Sequence, residues 1–289
     1  MTDARPILLI GGSGQVGQEI VRLAASRDVA LAAPPRSDAD LTDTARVRTL
    51  VASRDWRAVI NTAAWTAVDA AEEASADAFA ANALGPAILA EATRHRGIPL
   101  IHVSTDYVFD GKKPTPYDED DRPHPLGAYG ASKLAGEIAV QAGNPRHLIV
   151  RTAWVYGGTG RNFLRTMLRL AGERDTVSVV DDQHGTPTHA ADLAQALATL
   201  ALRDDLGERS GLYHFTNGGE TTWCGFARAI FALSAARGGP SATVRAITTT
   251  EFPTPARRPP NSRLATGKIA RDFGIVPRHW EDALKSAIA

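Results

Sequence analysis

Apolar runs of strand length alternate along this chain with longer stretches whose apolar residues recur at helical spacing. The run at 7–10 is four apolar residues without a polar interruption, the pattern of a strand buried on both faces. A helix is predicted over about 18–25, then a strand at 29–33, a helix at 47–53 and a strand at 58–61. The Ala-rich stretch 70–94 reads as helix, with Gly85-Pro86 as a local interruption. A strand at 100–103 precedes a helix from Tyr129 to about 141, and a fifth strand follows at 147–151. Helices at 163–171, 190–202, 223–236 and 280–288 alternate with strands at 177–180 and 211–215. Such alternation predicts an α/β fold with a Rossmann-like, doubly wound parallel sheet.

Composition narrows this picture without changing it. Hydrophobic residues make up 44% of the 289, enough for a sizeable core and against disorder. Lys plus Arg equals Asp plus Glu at 32 each, so no global field favours nucleic acid or an anionic membrane. No apolar stretch reaches the ~20 residues that span a bilayer. The opening residues Met1 to Pro6 do not resemble a signal peptide, and the single cysteine, Cys224, allows no internal disulfide; both fit a cytoplasmic protein. After about Gly157 the chain gains Pro and Arg, and the Pro-rich stretch 252–260 excludes regular helix or central strand.

The candidate chemistry sits where the pattern changes. Gly11, Gly14 and Gly17 follow the first strand at once and open the first helix, the context of a dinucleotide-binding turn. Backbone N–H groups of that turn, including those of Gln15 and Val16, would face a pyrophosphate at the helix amino end. The strand at 100–103 runs into Ser104 and Thr105, whose hydroxyls would emerge at the carboxyl edge of the sheet, where ligands of such folds bind. Tyr129 and Lys133 lie four apart on one helix face. A phenol of pKa about 10 is a poor acid at neutral pH, and a neighbouring ammonium is expected to lower that value.

Together these segments resemble the extended short-chain dehydrogenase/reductase superfamily. The stretches 104–111, 129–137, 151–157, 162–163, 182–188 and 253–264 narrow the resemblance to its dTDP-4-dehydrorhamnose reductase family, in order along nearly the whole chain. The resemblance implies a Rossmann domain over 1–156, with 176–217 returning to it, and a smaller C-terminal substrate lobe built from 157–175 and 218–289. It implies reduction of a 4-keto nucleotide sugar, with Tyr129 as proton donor, Lys133 as its partner and ribose ligand, and Thr105 polarising the carbonyl. Cofactor contacts fall on Gly11, Gly14, Gln15, Val16, Gly17, Arg36, Asp40, Leu41, Ala63, Ala64, Thr66, Tyr129 and Lys133. Substrate contacts fall on Thr105, Asp106, Trp154, Asn162, Arg258 and Asn261, with Arg257 and Arg263 as further phosphate partners. Pro35 stands where many relatives carry the Asp that binds the NAD ribose. Arg36 beside it suits a 2′-phosphate, so NADPH is expected ahead of NADH.

Some relatives form dimers bridged by Mg²⁺. Glu19 matches one ligand, but Ala191 stands at the partner position and Asp192 is offset around its helix, so no metal is expected. A monomer or a homodimer without a metal bridge follows. The competing readings are an epimerase, dehydratase or 4-ketoreductase acting on another nucleotide deoxysugar, and a non-catalytic cofactor-binding regulatory subunit.

Overall fold

The computed structural model describes residues 5–288; Ala289 and the first four residues of the amino-terminal segment lie outside the described residues. Six strands form one sheet, and every neighbouring pair in it is parallel. In spatial order they are Gly211–His214, His147–Thr152, Leu100–Thr105, Val59–Asn61, Ile7–Ile10 and Leu31–Ala32. The order reverses between Ile7–Ile10 and Val59–Asn61, so the carboxyl ends of these central strands open into a crevice. Ile7–Ile10 is buried along its whole length, as its uninterrupted apolar run predicts. The strand expected at 29–33 is only Leu31–Ala32, because it is an edge strand with Pro34 and Pro35 directly after it.

Helices cover both faces. Gln15–Ser26 and Ala190–Ala201 pack together on one side, and Thr44–Ala52, Gly85–His95 and Ala128–Gly143 pack on the other. The stretch 70–95 differs from its prediction. Gly85-Pro86 does not interrupt it; Ala74 breaks it after Ala70–Glu73, and a π-helical segment at Ala80–Leu84 ends directly before Gly85. Pro86 has no N–H to give to the Asn82 carbonyl, and that carbonyl instead lies where a Cβ on Gly136 would overlap it. The loosened turn thus lets the helix carrying Tyr129 approach closely.

A separate apolar cluster is built from Phe163–Ala171, Trp223–Ala236, Trp280–Ala287 and the parallel strand pair Thr176–Val180 and Thr243–Ile247. The pattern along the chain did not expose Thr243–Ile247, whose residues are mostly half-exposed or exposed and carry little apolar alternation. Gly267–Phe273 is a further short helix outside the prediction.

Candidate active site

The glycine turn is shaped by contact as much as by flexibility. Gly11 has φ +90°, and a Cβ there would lie 2.6 Å from the Ala63 nitrogen. A side chain on Gly17 would overlap the Gly11 carbonyl, so the helix Gln15–Ser26 starts directly against the turn. Gly14 is the N-cap residue and supplies no side-chain cap, so the first helical N–H groups, those of Gln15 and Val16, take no cap from it. This cradle fits a dinucleotide pyrophosphate. Ala63 and Ala64 lie half-buried opposite it, and Thr66 is exposed.

At the sheet edge, Arg36 is 81% exposed and donates from Nε to Asp40 at 3.0 Å. Asp40 also accepts from the backbone and hydroxyl of Thr42, and these bonds hold its carboxyl below the usual range. Leu41 is buried beneath Gly85.

The helix Ala128–Gly143 has a glycine N-cap, and Glu72 takes over the capping by accepting from the Ala128 N–H at 2.9 Å. Gly130 lets the helix close on the Tyr107 carbonyl. One helical turn later Asn82 fixes the same helix to the turn after the third strand. Its amide accepts from the Trp65 N–H at 2.8 Å and donates to the Trp65 carbonyl and to Ser132 Oγ, each at 3.0 Å. Glu72 and Asn82 escaped the sequence reading; the Gly85-Pro86 pair inside a helical pattern was the only trace of Asn82.

Tyr129, Lys133, Thr105 and Asp106 are all buried. Thr105 is the last residue of its strand. Its hydroxyl donates to Asp106 at 3.0 Å and accepts from the Tyr107 N–H at 3.2 Å. Burial pushes the Tyr129 phenol up to about 12; the Thr105 hydroxyl pulls it down and the Asp106 carboxylate raises it further. The expected lowering by Lys133 is not what this pocket does. The Lys133 ammonium is itself desolvated, brought down to about 8 with Glu137 opposing, and it donates to the Val103 carbonyl at 2.8 Å. Burial lifts the Asp106 carboxyl to about 6, against hydrogen bonds from Ser262 and Thr105.

The residues expected at the substrate side divide into two groups. Trp154 stands at φ +50°, an uncommon conformation for a bulky residue, and stacks on Trp223 with ring centroids 3.6 Å apart. Gly185 makes room for its indole, since a Cβ there would overlap the ring. Arg258 lies beside Tyr107 and pairs with Asp69 at 2.8 Å. Asn162 and Asn261, by contrast, are committed internally. Asn162 caps the helix Phe163–Ala171 through Arg165 N–H and donates to Gln15 Oε1 at 2.8 Å and to the Gly157 and Thr159 carbonyls. Asn261 donates to the Lys113 and Thr115 carbonyls and accepts from Arg263. Arg263 also pairs with Glu220 at 2.7 Å, and Arg257 is exposed. Trp223 is the aromatic partner that helical patterning alone did not single out.

At the place considered for a metal, Glu19 pairs with Arg22. Asp192 accepts from Arg278 at 2.8 and 2.9 Å and from Asn217 at 2.7 Å. Among the described residues no group of three His, Cys, Asp or Glu side chains is arranged to hold a metal ion. No helix among them is long and apolar enough to cross a membrane.

The family profile described as "RmlD substrate binding domain" matches residues 5–289. The chain is 41% identical over 285 residues to dTDP-4-dehydrorhamnose reductase of Sinorhizobium fredii, covering 98% of this chain and 96% of that one. It is 44% identical over 289 residues to the Mycobacterium tuberculosis reductase, covering 98% and 92%. Among solved structures, that of a dTDP-4-dehydrorhamnose reductase from Bacillus anthracis in complex with NADP superposes with a TM-score of 0.92 at 34% identity, covering 98% of each chain. With glycine cradle, buried Tyr–Lys helix and full-length similarity all in place, the chain belongs to the dTDP-4-dehydrorhamnose reductase family.

Proposed function

We propose that this protein reduces the 4-keto group of dTDP-4-dehydrorhamnose to give dTDP-rhamnose, using NADPH. The observation that carries the reading is the burial of Thr105, Tyr129 and Lys133 near the carboxyl end of the strand Leu100–Thr105, in a chain related to such reductases over its full length. When bound, the cofactor supplies a hydride to C4. The turn from Gly11 to Gly17, with Gln15 and Val16, holds its pyrophosphate. Arg36, with Asp40 and Leu41, receives the adenosine end, and Ala63, Ala64 and Thr66 line its path across the third strand. Tyr129 and Lys133 meet the nicotinamide end.

Tyr129 donates its phenolic proton to the oxygen that becomes an alkoxide. A phenol raised to about 12 keeps that proton until an alkoxide, a far stronger base than water, forms beside it. The Thr105 hydroxyl, which donates to Asp106 in the substrate-free protein, turns its proton to the same oxygen and orients the carbonyl. Asp106 and Trp154 frame the sugar, the latter through the apolar face of its indole. Arg258, supported by Arg257 and Arg263, takes the diphosphate. Asn162 and Asn261 frame the cleft from both sides and keep Gln15 and Arg263 in place. The second apolar cluster, with 157–175 and 218–289, serves as the substrate lobe; of 176–217, the strand Thr176–Val180 packs in that lobe, while Ala190–Ala201 and Gly211–His214 complete the nucleotide-binding domain. The reductase works in the cytoplasm as a monomer or as a homodimer without a metal bridge.

The test is NADPH oxidation against a small panel of 4-keto nucleotide sugars, with product analysis. Net consumption of NADPH with a reduced product is expected; conversion without net oxidation would assign the chain to the epimerase or dehydratase chemistry instead. Tyr129→Phe is expected to lower kcat by about 10²- to 10⁴-fold while NADPH affinity stays within a few-fold. Undiminished turnover would remove Tyr129 from the role of proton donor.

A further inference from the structure

Beneath the reacting groups lies a second buried pair. Asn61 and His102 have no exposed surface, and they are cross-strand neighbours in the parallel register of Val59–Asn61 and Leu100–Thr105. The Asn61 carbonyl oxygen accepts from the Ala63 backbone N–H at 3.1 Å. A backbone N–H only donates, so this bond fixes which end of the Asn61 amide is oxygen. The amide nitrogen therefore points at His102 Nδ1, 3.0 Å away, and Nδ1 must be the acceptor. A neutral imidazole with an accepting Nδ1 carries its proton on Nε2. That Nε2–H faces Lys133 Nζ at 3.4 Å.

We infer that Asn61 and His102 form a tautomer lock that presents a donor, not an acceptor, to Lys133, and so bias the lysine toward releasing its proton. The neutral amine is satisfied on both sides: it accepts from His102 Nε2–H and donates to the Val103 carbonyl. The ammonium has Val103 as acceptor and the imidazole N–H as an unfavourable neighbour. Glu137, one turn along the helix, pulls the other way, but its two oxygens are held by Arg151 at 2.8 and 2.7 Å. Tyr129 on the same helix, Asp106 at the strand end and Tyr107, packed edge-on against Tyr129, are the other titratable groups around the pocket. Burial keeps His102 itself neutral, well below the ordinary imidazole range, with the Lys133 charge adding to the effect. His102 is thus a positioning residue that acts through Lys133. This rests on the proposed catalytic role of Lys133; the lock itself does not.

Two variants separate the lock from mere packing. His102→Gln can turn its amide oxygen toward Lys133, so the ammonium gains an acceptor. The limb of kcat/KM that falls as Lys133 loses its proton is expected to move to higher pH by about one unit. His102→Phe offers no acceptor, and that limb is expected to stay or move lower. A purely structural His102 would shift neither limb, or both in one direction, and that result would overturn the inference. The ¹⁵N shifts of His102 in the substrate-free protein give an independent reading. An Nε2–H tautomer, neutral well below the ordinary imidazole range, is expected. An Nδ1–H tautomer or a protonated ring at pH 6 would overturn the lock even if the protein reduces its ketone normally. Conversely, the Nε2–H tautomer in a protein without reductase activity would leave the lock standing and remove the function.

Discussion

Two sets of cations in this molecule live under different rules. Lys133, on the helix Ala128–Gly143, and Arg151, on the strand His147–Thr152, are each 2% exposed, and their bonds are to fixed interior partners. Arg258 and Arg263 lie on the Pro-rich arm, and their carboxylate partners Asp69 and Glu220 are 42% and 57% exposed. In the interior, desolvation dominates and sets protonation. On the arm the arginines are 19% and 17% exposed but their carboxylates reach solvent, so water screens these pairs more than the interior one and leaves the carboxylates displaceable by the proposed substrate phosphates. Proton chemistry needs the first environment and reversible binding of a charged substrate needs the second.

The sharpest way to break this comparison is at Glu137. Its carboxylate faces Arg151 bidentately with both side chains 2% exposed, and Arg151 Nη1 already lacks a partner. Glu137→Gln leaves a buried guanidinium without its counter-charge, and a loss of about 3–5 kcal/mol of unfolding free energy is expected from denaturant titration. The control is Glu173→Gln, which removes the exposed i,i+4 pair with Arg169 and should change stability by about 0–1 kcal/mol. Equal effects from the two substitutions would show that burial does not divide the charges as argued.

On the arm, Arg258→Ala should raise the KM for the nucleotide sugar by about tenfold, the scale of one charge-assisted bond, and leave kcat within about twofold. Asp69→Asn removes the competing carboxylate while keeping an acceptor, and should lower that KM slightly. A fall in kcat with unchanged KM in Arg258→Ala would place this arginine with the reacting groups rather than with the phosphates.

The difference in environment also explains what the sequence made legible. Ile7–Ile10, the glycine turn and the Tyr129–Lys133 spacing are local patterns, each contained in a few consecutive residues. Asn82, Glu72 and His102 act across 17, 56 and 31 residues of chain, on Trp65, Ala128 and Lys133, and no local pattern carries such a contact. The sign of the Tyr129 shift was hidden for the same reason. Spacing on a helix places a lysine near a tyrosine, but only the packed fold sets how far each is desolvated. Asn162 and Asn261 were expected at the substrate, but most of their partners are backbone groups, which leave no mark in a sequence. Thr243–Ile247 was missed because its apolar alternation is weak and its pairing partner lies far away in the chain.

The smallest effect is expected at Arg36, and it tests how far exposure limits a charge. Its guanidinium is 81% exposed and its partner, Asp40, is held independently by Thr42. Removing Arg36 therefore leaves the loop fixed and deletes only the group proposed to distinguish a 2′-phosphate from a hydroxyl. In Arg36→Ala the KM for NADPH should rise by about three- to tenfold, while that for NADH stays nearly constant. Because the site is open to solvent, added salt should erode the wild-type preference toward the variant's ratio. Steady-state kinetics with both cofactors at low and high ionic strength read this directly. A preference that survives both the substitution and the salt would mean that Pro35, by removing an acceptor for the ribose hydroxyls, already decides the cofactor on its own.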